Sequence, residues 1–503
     1  MNRLIVAFSS TINIDTAIIF TVMCLTIAIG FIGYRASKTL TGFIFANKTL
    51  GPWLLAFSIM ATYFSAASFL GGGGATYLYN LGFGAWLTAW HVIGVVILWI
   101  AVAGKLFDYV SKNKVMSVPE LIGHRYRSVL ARAIAATIII SLFTLYLVSV
   151  YKGGAVILST QLGIDFKYAL LLLALPVIIY IVIGGLKAAA INNLFLGSLM
   201  IIAAILTFSY IMSHVGGPIN GIQQLSQTII AGKPGSLWLK LDGMGPPPAI
   251  EKNAVPILIM SIAFSIGMAQ IALPNLLIQF YAARDVKAIS RGRLIGPLLV
   301  ATYASLMFSL GAFCHLILDK HLSAQEVVQL MKDTDWVIPK TISLIAPIGV
   351  RGLILAAPVA ASMSTIALTV LTLSNTLVRD IVQIAKSVKD EEKLLRIAKL
   401  SAIAFSLIPI ALALIENRLI IDIVSAAFGT IFACFIGPVT IGLYWRKATK
   451  EGAITSMVIG ALTGILWYIY LYRVLWIHST LPATALALMV FIILSLLKRG
   501  NQN

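Results

Sequence analysis

The sequence predicts an all-α integral membrane protein with about thirteen transmembrane helices, and three observations carry that reading. Hydrophobic residues make up 59% of the 503 and charged residues 11%, whereas a soluble domain needs roughly 25% charged residues to stay wetted. The apolar runs are long, near the ~20 residues that span hydrocarbon as a helix. They lack the short alternating segments of a membrane β-barrel. Inside a bilayer every backbone N–H and C=O must find its partner locally, which helices achieve.

The spans follow in chain order. The first, about 14–35, has no small-residue cleavage site behind it, so it is read as a retained helix and not a leader. The second, about 52–78, stops before Asn80-Leu-Gly. Spans at about 82–110, 129–160, 164–185 and 189–214 follow, bounded by charged or glycine-rich positions. Gly216-Gly217-Pro218 and Gly245-Pro246-Pro247-Pro248 punctuate turns or loops. The next spans are about 253–281, 292–318 and 341–378; the last of these is too long for one crossing and should contain a break or loop helix before Gly352. The series ends with 397–415, 419–445, 453–472 and 476–497. The longest polar stretch, about 215–252, is too short for a packed core, so residues 1–503 form one transmembrane domain. That excludes a receptor enzyme with a soluble output module.

The formal net charge of +19 is not a nucleic-acid signal here. With thirteen spans and the N-terminus outside, basic residues of segments 35–48, 105–132, 187, 284–293, 379–399, 446–450 and 498–499 share the cytoplasmic side. The excess there is about two to one, as the positive-inside rule requires. The expected location is therefore the cell membrane, with the C-terminus cytoplasmic. Cys24, Cys314 and Cys434 lie in apolar stretches without metal-ligand spacing and read as small buried hydrophobes.

Polar residues inside spans are expensive and mark function by default. Ala61, Phe64, Ser65 and Ser68 recur at i, i+3, i+4 and i+7, and four glycines, Gly71 to Gly74, follow. Such a run makes poor helix, and carbonyls freed there need protein, water or an ion. Ala361, Ser364 and Thr365 share a face in the second cluster. Hydroxyls with backbone carbonyls make a neutral oxygen cage, which suits a hard cation such as sodium. Broken helices supply such ligands in secondary transporters. Equally, small-residue and Ser/Thr stripes can serve close helix packing alone.

The run Gly442-Leu-Tyr-Trp-Arg-Lys447-Ala-Thr-Lys-Glu-Gly452-Ala453-Ile-Thr-Ser456-Met-Val-Ile-Gly460 resembles a late signature of the sodium:solute symporter family. Ser117-Val-Pro119-Glu120 with Arg125-Tyr126, Gly184-Gly185 with Asn192, and Pro274 with Arg284-Asp285 and Arg291-Gly292 extend the resemblance over about 35–470. The segment from Ala61 to Gly72 is most similar to the sodium/pantothenate branch, then to the proline and monocarboxylate branches. The resemblance implies a LeuT-type core of two inverted five-helix repeats, about 52–214 and 253–445. One helix, about 14–35, precedes it, and two, about 453–497, follow. It implies one sodium site built from Ala61 and Phe64 carbonyls with Ala361, Ser364 and Thr365. Many family members carry an aspartate where this chain has Asn193, which makes that position relevant to coupling. Ile366, Ala367 and Leu368 lack the hydroxyls of members with a second sodium, so one ion per cycle is expected.

A small organic solute should sit at the midplane, against Tyr63, Ser65, Ser68, Trp90, His91, Gln270 and Phe428, with Lys152 as a candidate anion partner. A half-helix N-terminus favours a carboxylate, such as pantothenate or a monocarboxylate; an amino acid such as proline is the second choice. Proton coupling is the alternative drive. It needs a titratable group in the pathway, and His91 is the candidate, because Asp15, Asp108, Asp285, Asp380 and Asp422 fall near span ends. A passive channel is a remote third reading. An enzyme is excluded: the six histidines are scattered, without a zinc motif or an inward carboxylate pair. No cofactor is expected beyond Na+ as coupling ion, and the oligomeric state is left open.

Overall fold

The computed structural model describes residues 13–230, 232–240, 255–386, 390–416 and 418–497. It is almost entirely helical; among the described residues the strands are a two-residue hairpin, Ile229–Ile230 with Lys233–Pro234. The proline run at 245–248 lies outside the described residues.

The helices long and apolar enough to cross a membrane are numbered here in chain order. They are α1 (Ile14–Gly33), the bent pair α2 (Pro52–Tyr63) and α3 (Ala67–Leu78), α4 (Leu81–Asn113), α5 (Val129–Leu162), α6 (Phe166–His214) and α7 (Pro256–Tyr281). Then come α8 (Val286–Leu318), α9 (Val350–Ala385), α10 (Glu391–Ala413), α11 (Ile420–Ile441), α12 (Lys450–Leu475) and α13 (Thr480–Leu497). Eleven qualify singly, or twelve with the bent pair, among the described residues. The thirteen expected from hydropathy require α6 to count twice. At ~1.5 Å per residue its 49 residues reach about 73 Å, more than twice the ~30 Å of a hydrocarbon core. It breaks at Gly185, with φ 56° and ψ −153°. A Cβ there would lie 2.6 Å from the Phe43 carbonyl oxygen, so only glycine fits.

Burial sorts these helices. In α9 and α11, 94% of the most apolar window is buried, against 22% in α12 and 33% in α13. The former are the centre and the latter the lipid-facing rim. The break expected before Gly352 is present: Val337–Ile345 is a separate helix, and α9 starts at Val350. Asp15 locks α1 onto that start. One of its carboxylate oxygens accepts from Gly349 N at 2.6 Å and Gly352 N at 2.9 Å, and the other pairs with Arg351 at 2.5 Å. At the other end of α9, Asp380 accepts from Arg132 Nε at 2.7 Å and Ser117 Oγ at 2.8 Å, joining α9 to the start of α5. Both carboxylates sit near helix ends, as the sequence reading placed them.

Two helices are interrupted at their middles. The α2–α3 pair bends by 62°. In α7 the helix stops after Ala269 and resumes at Pro274. Proline in the first turn restarts a helix because its missing N–H is not needed there. The start of the first broken span and the end of the second meet in a short ladder, where Leu50 N donates to Ala282 O at 3.1 Å and Arg284 N to Leu50 O at 2.9 Å. Breaks in the first helix of each expected repeat are what an inverted duplication would place there.

Candidate functional site: an oxygen nest beside an aromatic cavity

Phe64 ends α2 in an extended conformation, with φ −80° and ψ 116°. The last carbonyls of α2 thereby lose their helical partners. Ser65 Oγ accepts from Ala67 N at 3.1 Å, and Ser68 Oγ donates to Ser65 O at 2.6 Å, which starts the next half-helix. Glycine lets that half-helix seat closely: a Cβ on Gly74 would lie 2.1 Å from the Thr334 carbonyl oxygen.

Helix α9 faces the break. It is held on α5 by Ser362 Oγ, which donates to Val150 O at 3.1 Å, and on α6 by Tyr180, whose hydroxyl donates to Met363 O at 2.9 Å. Ser364 Oγ lies 2.8 Å from Ala61 O and 2.6 Å from Asn193 Oδ1. Thr365 Oγ1 lies 3.0 Å from Thr62 O and 3.5 Å from Phe64 O. Two hydroxyl protons therefore serve four acceptor oxygens. Asn193 Nδ2 donates to Ser58 O, Ser58 Oγ and Thr62 Oγ1 at 3.3, 3.2 and 3.0 Å, which turns Oδ1 toward Ser364. Ala361 is buried one turn earlier on α9. All these groups are neutral, buried and oxygen-rich, a donor set that fits a small hard cation.

Next to this nest is a cavity of about 30 Å³, room for roughly two waters. Solute sites usually measure ~300–1,000 Å³, so this one must widen to admit a solute. Five of the eight solute candidates line it: Tyr63, Ser65, Ser68, His91 and Phe428. Aromatic rings close around it. Tyr63 stacks on Phe428 with centroids 6.2 Å apart, and Phe64 on His91 at 5.6 Å. Tyr63 donates to Ile266 O at 2.7 Å, tying one broken helix to the other. His91 Nδ1 is 2.6 Å from Leu87 O. A carbonyl can only accept, so the proton sits on Nδ1 and Nε2 is the free acceptor.

The other three candidates lie elsewhere. Gln270 donates to His91 O at 2.9 Å and Gly267 O at 2.8 Å, supporting the cavity wall from behind. Trp90 packs edge-on against Phe264 at 5.1 Å. Lys152 pairs with Asp335 at 3.7 Å and donates to Arg418 O at 2.6 Å, outside the cavity lining. An internal carboxylate, from the short turn Thr334–Trp336, takes the role the sequence reading reserved for an anionic solute. Sequence reasoning also missed Tyr146, which lines the cavity, packs on Phe428 at 4.5 Å and has a buried hydroxyl without a hydrogen-bond partner. Its signal was a tyrosine tip in the apolar run of α5, shared only with Tyr151. No Asp, Glu, Lys or Arg lines the cavity.

Comparison with known proteins finds relatives over nearly the whole chain. The chain is 28% identical over 462 residues to the sodium/pantothenate symporter of Haemophilus influenzae, covering 90% of each protein. It is 26% identical over 446 residues to the high-affinity proline transporter PutP of Bacillus subtilis, covering 87% of this chain and 89% of that one. Its fold matches that of a Na+-coupled sialic acid symporter, solved in a substrate-bound outward-open state, with a TM-score of 0.78 at 20% identity over 96% of this chain and 98% of that one. The helical architecture is thus LeuT-like, as the sequence resemblance implied. The profile of the sodium:solute symporter family matches residues 43–460, and the chain belongs to that family of multi-pass, sodium-coupled carriers of small solutes.

Proposed function

We propose that the chain moves a small organic carboxylate across the membrane together with one sodium ion, the ion binding between the α2–α3 break and α9. The observation that carries this is the surplus of lone pairs at the break: four acceptors, Ala61 O, Thr62 O, Phe64 O and Asn193 Oδ1, share two hydroxyl protons. A cation satisfies such a set once the Ser364 and Thr365 protons turn away. Ala61 and Phe64 would contribute carbonyl oxygens, Ser364 and Thr365 hydroxyls, and Ala361 its carbonyl. Asn193 orients Ser364 without adding charge, so coupling there is weaker than an aspartate would give.

The solute would occupy the adjoining cavity, against Tyr63, Ser65, Ser68, His91, Tyr146 and Phe428. The absence of any carboxylate from the lining favours a carboxylate over an amino acid, whose ammonium would lack an ionic partner. A relative that transports pantothenate supports the same choice. The aromatic wall supports proline as the second reading, because rings attract an ammonium weakly. The same lining supports sodium over protons, since it holds no carboxylate and its one imidazole, His91, is buried and engaged with Leu87 O. We place the N-terminus outside and the C-terminus in the cytoplasm, on the side bias of basic residues.

Uptake by proteoliposomes of labelled pantothenate, short monocarboxylates and proline, with and without an inward sodium gradient, tests this reading. Accumulation of a carboxylate only under the gradient is expected. Gradient-driven uptake of proline alone would overturn the substrate class, and equilibration without accumulation would indicate a channel.

A further inference from the structure

A second cavity, of about 240 Å³, opens between the later part of α4 and the start of α8. It shares no lining residue with the solute cavity. Helix α4 has 33 residues, about 50 Å at ~1.5 Å each. Some of it must therefore stand beyond the ~30 Å of hydrocarbon. The groove lies over residues 100–108 of α4 and the first residues of α8, the ends where that excess falls. On one flank Ile100 is 60% exposed and Val286 58%, surfaces that suit acyl chains. Behind them stand the cations of Lys105 and Arg293.

The walls are built around these cations. A Cβ on Gly104 would lie 3.3 Å from Arg293 Nη2, so the glycine leaves room for the guanidinium to lie against α4. Tyr444, at the end of α11, donates its hydroxyl to the Ala101 carbonyl. Its ring lies 5.6 Å from Lys105 Nζ, a cation–π contact that holds the ammonium over the groove. Ala101 belongs to a π-helical turn, Leu98–Val102; such turns are frequent at functional sites. No acidic side chain forms an ion pair with Lys105 or Arg293 among the described residues. Asp108 is the one carboxylate in the lining, so the groove carries a net charge of about +1.

We infer that this groove binds the headgroup of an anionic phospholipid. The phosphate sits between Lys105 and Arg293, the acyl chains lie along Ile100 and Val286, and Tyr444 stands at the boundary, where tyrosine is favoured. Basic pockets between spanning helices recognise anionic headgroups in this way. Two cations and one carboxylate match a single-phosphate headgroup carrying hydroxyls, because Asp108 can accept from a headgroup hydroxyl and repels further negative charge. Phosphatidylglycerol has that chemistry.

The test uses the purified full chain and counts retained lipid by native mass spectrometry. Phosphatidylglycerol, phosphatidylethanolamine and phosphatidylcholine are titrated separately, and thermal unfolding is followed with each and with inorganic phosphate. Lys105→Gln with Arg293→Gln changes exposed side chains, so it should unfold like wild type in phosphatidylcholine. Phosphatidylglycerol should be retained preferentially and raise the unfolding temperature of wild type. The double variant should hold it about thirtyfold more weakly. Arg291→Gln, an exposed basic residue of α8 outside the groove, should change nothing. Equal retention by the double variant, equal retention of phosphatidylethanolamine, an equal loss in Arg291→Gln, or full stabilisation by inorganic phosphate would each overturn the inference.

Discussion

The Ser364 hydroxyl lies 2.6 Å from Asn193 Oδ1, so the amide of α6 sets the direction of a hydroxyl on α9 that also meets the broken helix at Ala61. Asn193 is held by its Nδ2, whose two protons are shared among three acceptors on α2. Its oxygen is therefore fixed, and it carries no charge.

Replacing that amide by a carboxylate, Asn193→Asp, should tighten sodium. A charged oxygen binds a cation or hydroxyl about twice as strongly as a neutral one, and the half-saturating sodium concentration for uptake should fall on the order of tenfold. The carboxylate cannot donate to Ser58 O, so the sodium-free protein should lose about 1–3 kcal/mol of stability. Thermal unfolding with and without sodium reads both effects. An unchanged sodium dependence would place Asn193 outside the coupling machinery.

Tyr146 tests the cavity. Its hydroxyl stands beside Ser65 and Thr365 without a hydrogen bond of good geometry, so Tyr146→Phe should leave the unfolding temperature within a degree or two. If the solute uses that hydroxyl, the half-saturating solute concentration should rise about tenfold, for a lost bond of ~1.4 kcal/mol. The sodium requirement should stay. A variant with wild-type solute dependence would remove Tyr146 from the solute contacts.

The short turn packed against Gly74 of α3 should respond to pH. Asp335 belongs to the short turn Thr334–Trp336, packed on Gly74, and accepts from Ile420 N at 3.3 Å. Burial pushes its carboxyl up to about 7, an effect that Lys152 only partly offsets; Asp333 and Asp422 add to the rise. The folded pKa lies above the ~3.9 of an unfolded aspartate, so the folded chain binds the extra proton between these values. Stability should therefore fall as pH rises from about 4 to 7 and level off above. Thermal unfolding across pH 4–8 should show that slope in wild type, and Asp335→Asn should reduce it. An identical slope in the variant would assign it to other groups.

Much of this was legible in the sequence because the bilayer imposes it. The Ala61–Ser68 and Ala361–Thr365 clusters stand out since hydroxyls and small residues at helical spacing are unexpected in lipid-facing helix. Their meeting was not legible, because α2 and α9 lie 300 residues apart and only the fold brings them together. Lys152 shows the limit most clearly. Its partner, Asp335, lies in the short turn Thr334–Trp336 between two spans, so no spacing rule links the two. Tyr146 was missed because a buried tyrosine in an apolar run reads as packing until the partner of its hydroxyl is sought. The doubling of α6 was legible through Gly184-Gly185, where the chain needs a backbone angle that only glycine adopts freely.

The most direct measurement is sodium-activated uptake by Ser364→Ala combined with Thr365→Ala. Proteoliposomes holding wild type or the double variant, matched for folded protein, are given the transported solute under an inward sodium gradient or an equal potassium gradient. The oxygen-nest account predicts that the sodium-to-potassium uptake ratio, well above one in wild type, falls to about one in the variant. A folded variant that keeps the wild-type ratio would contradict it, and the ion would then have to bind elsewhere.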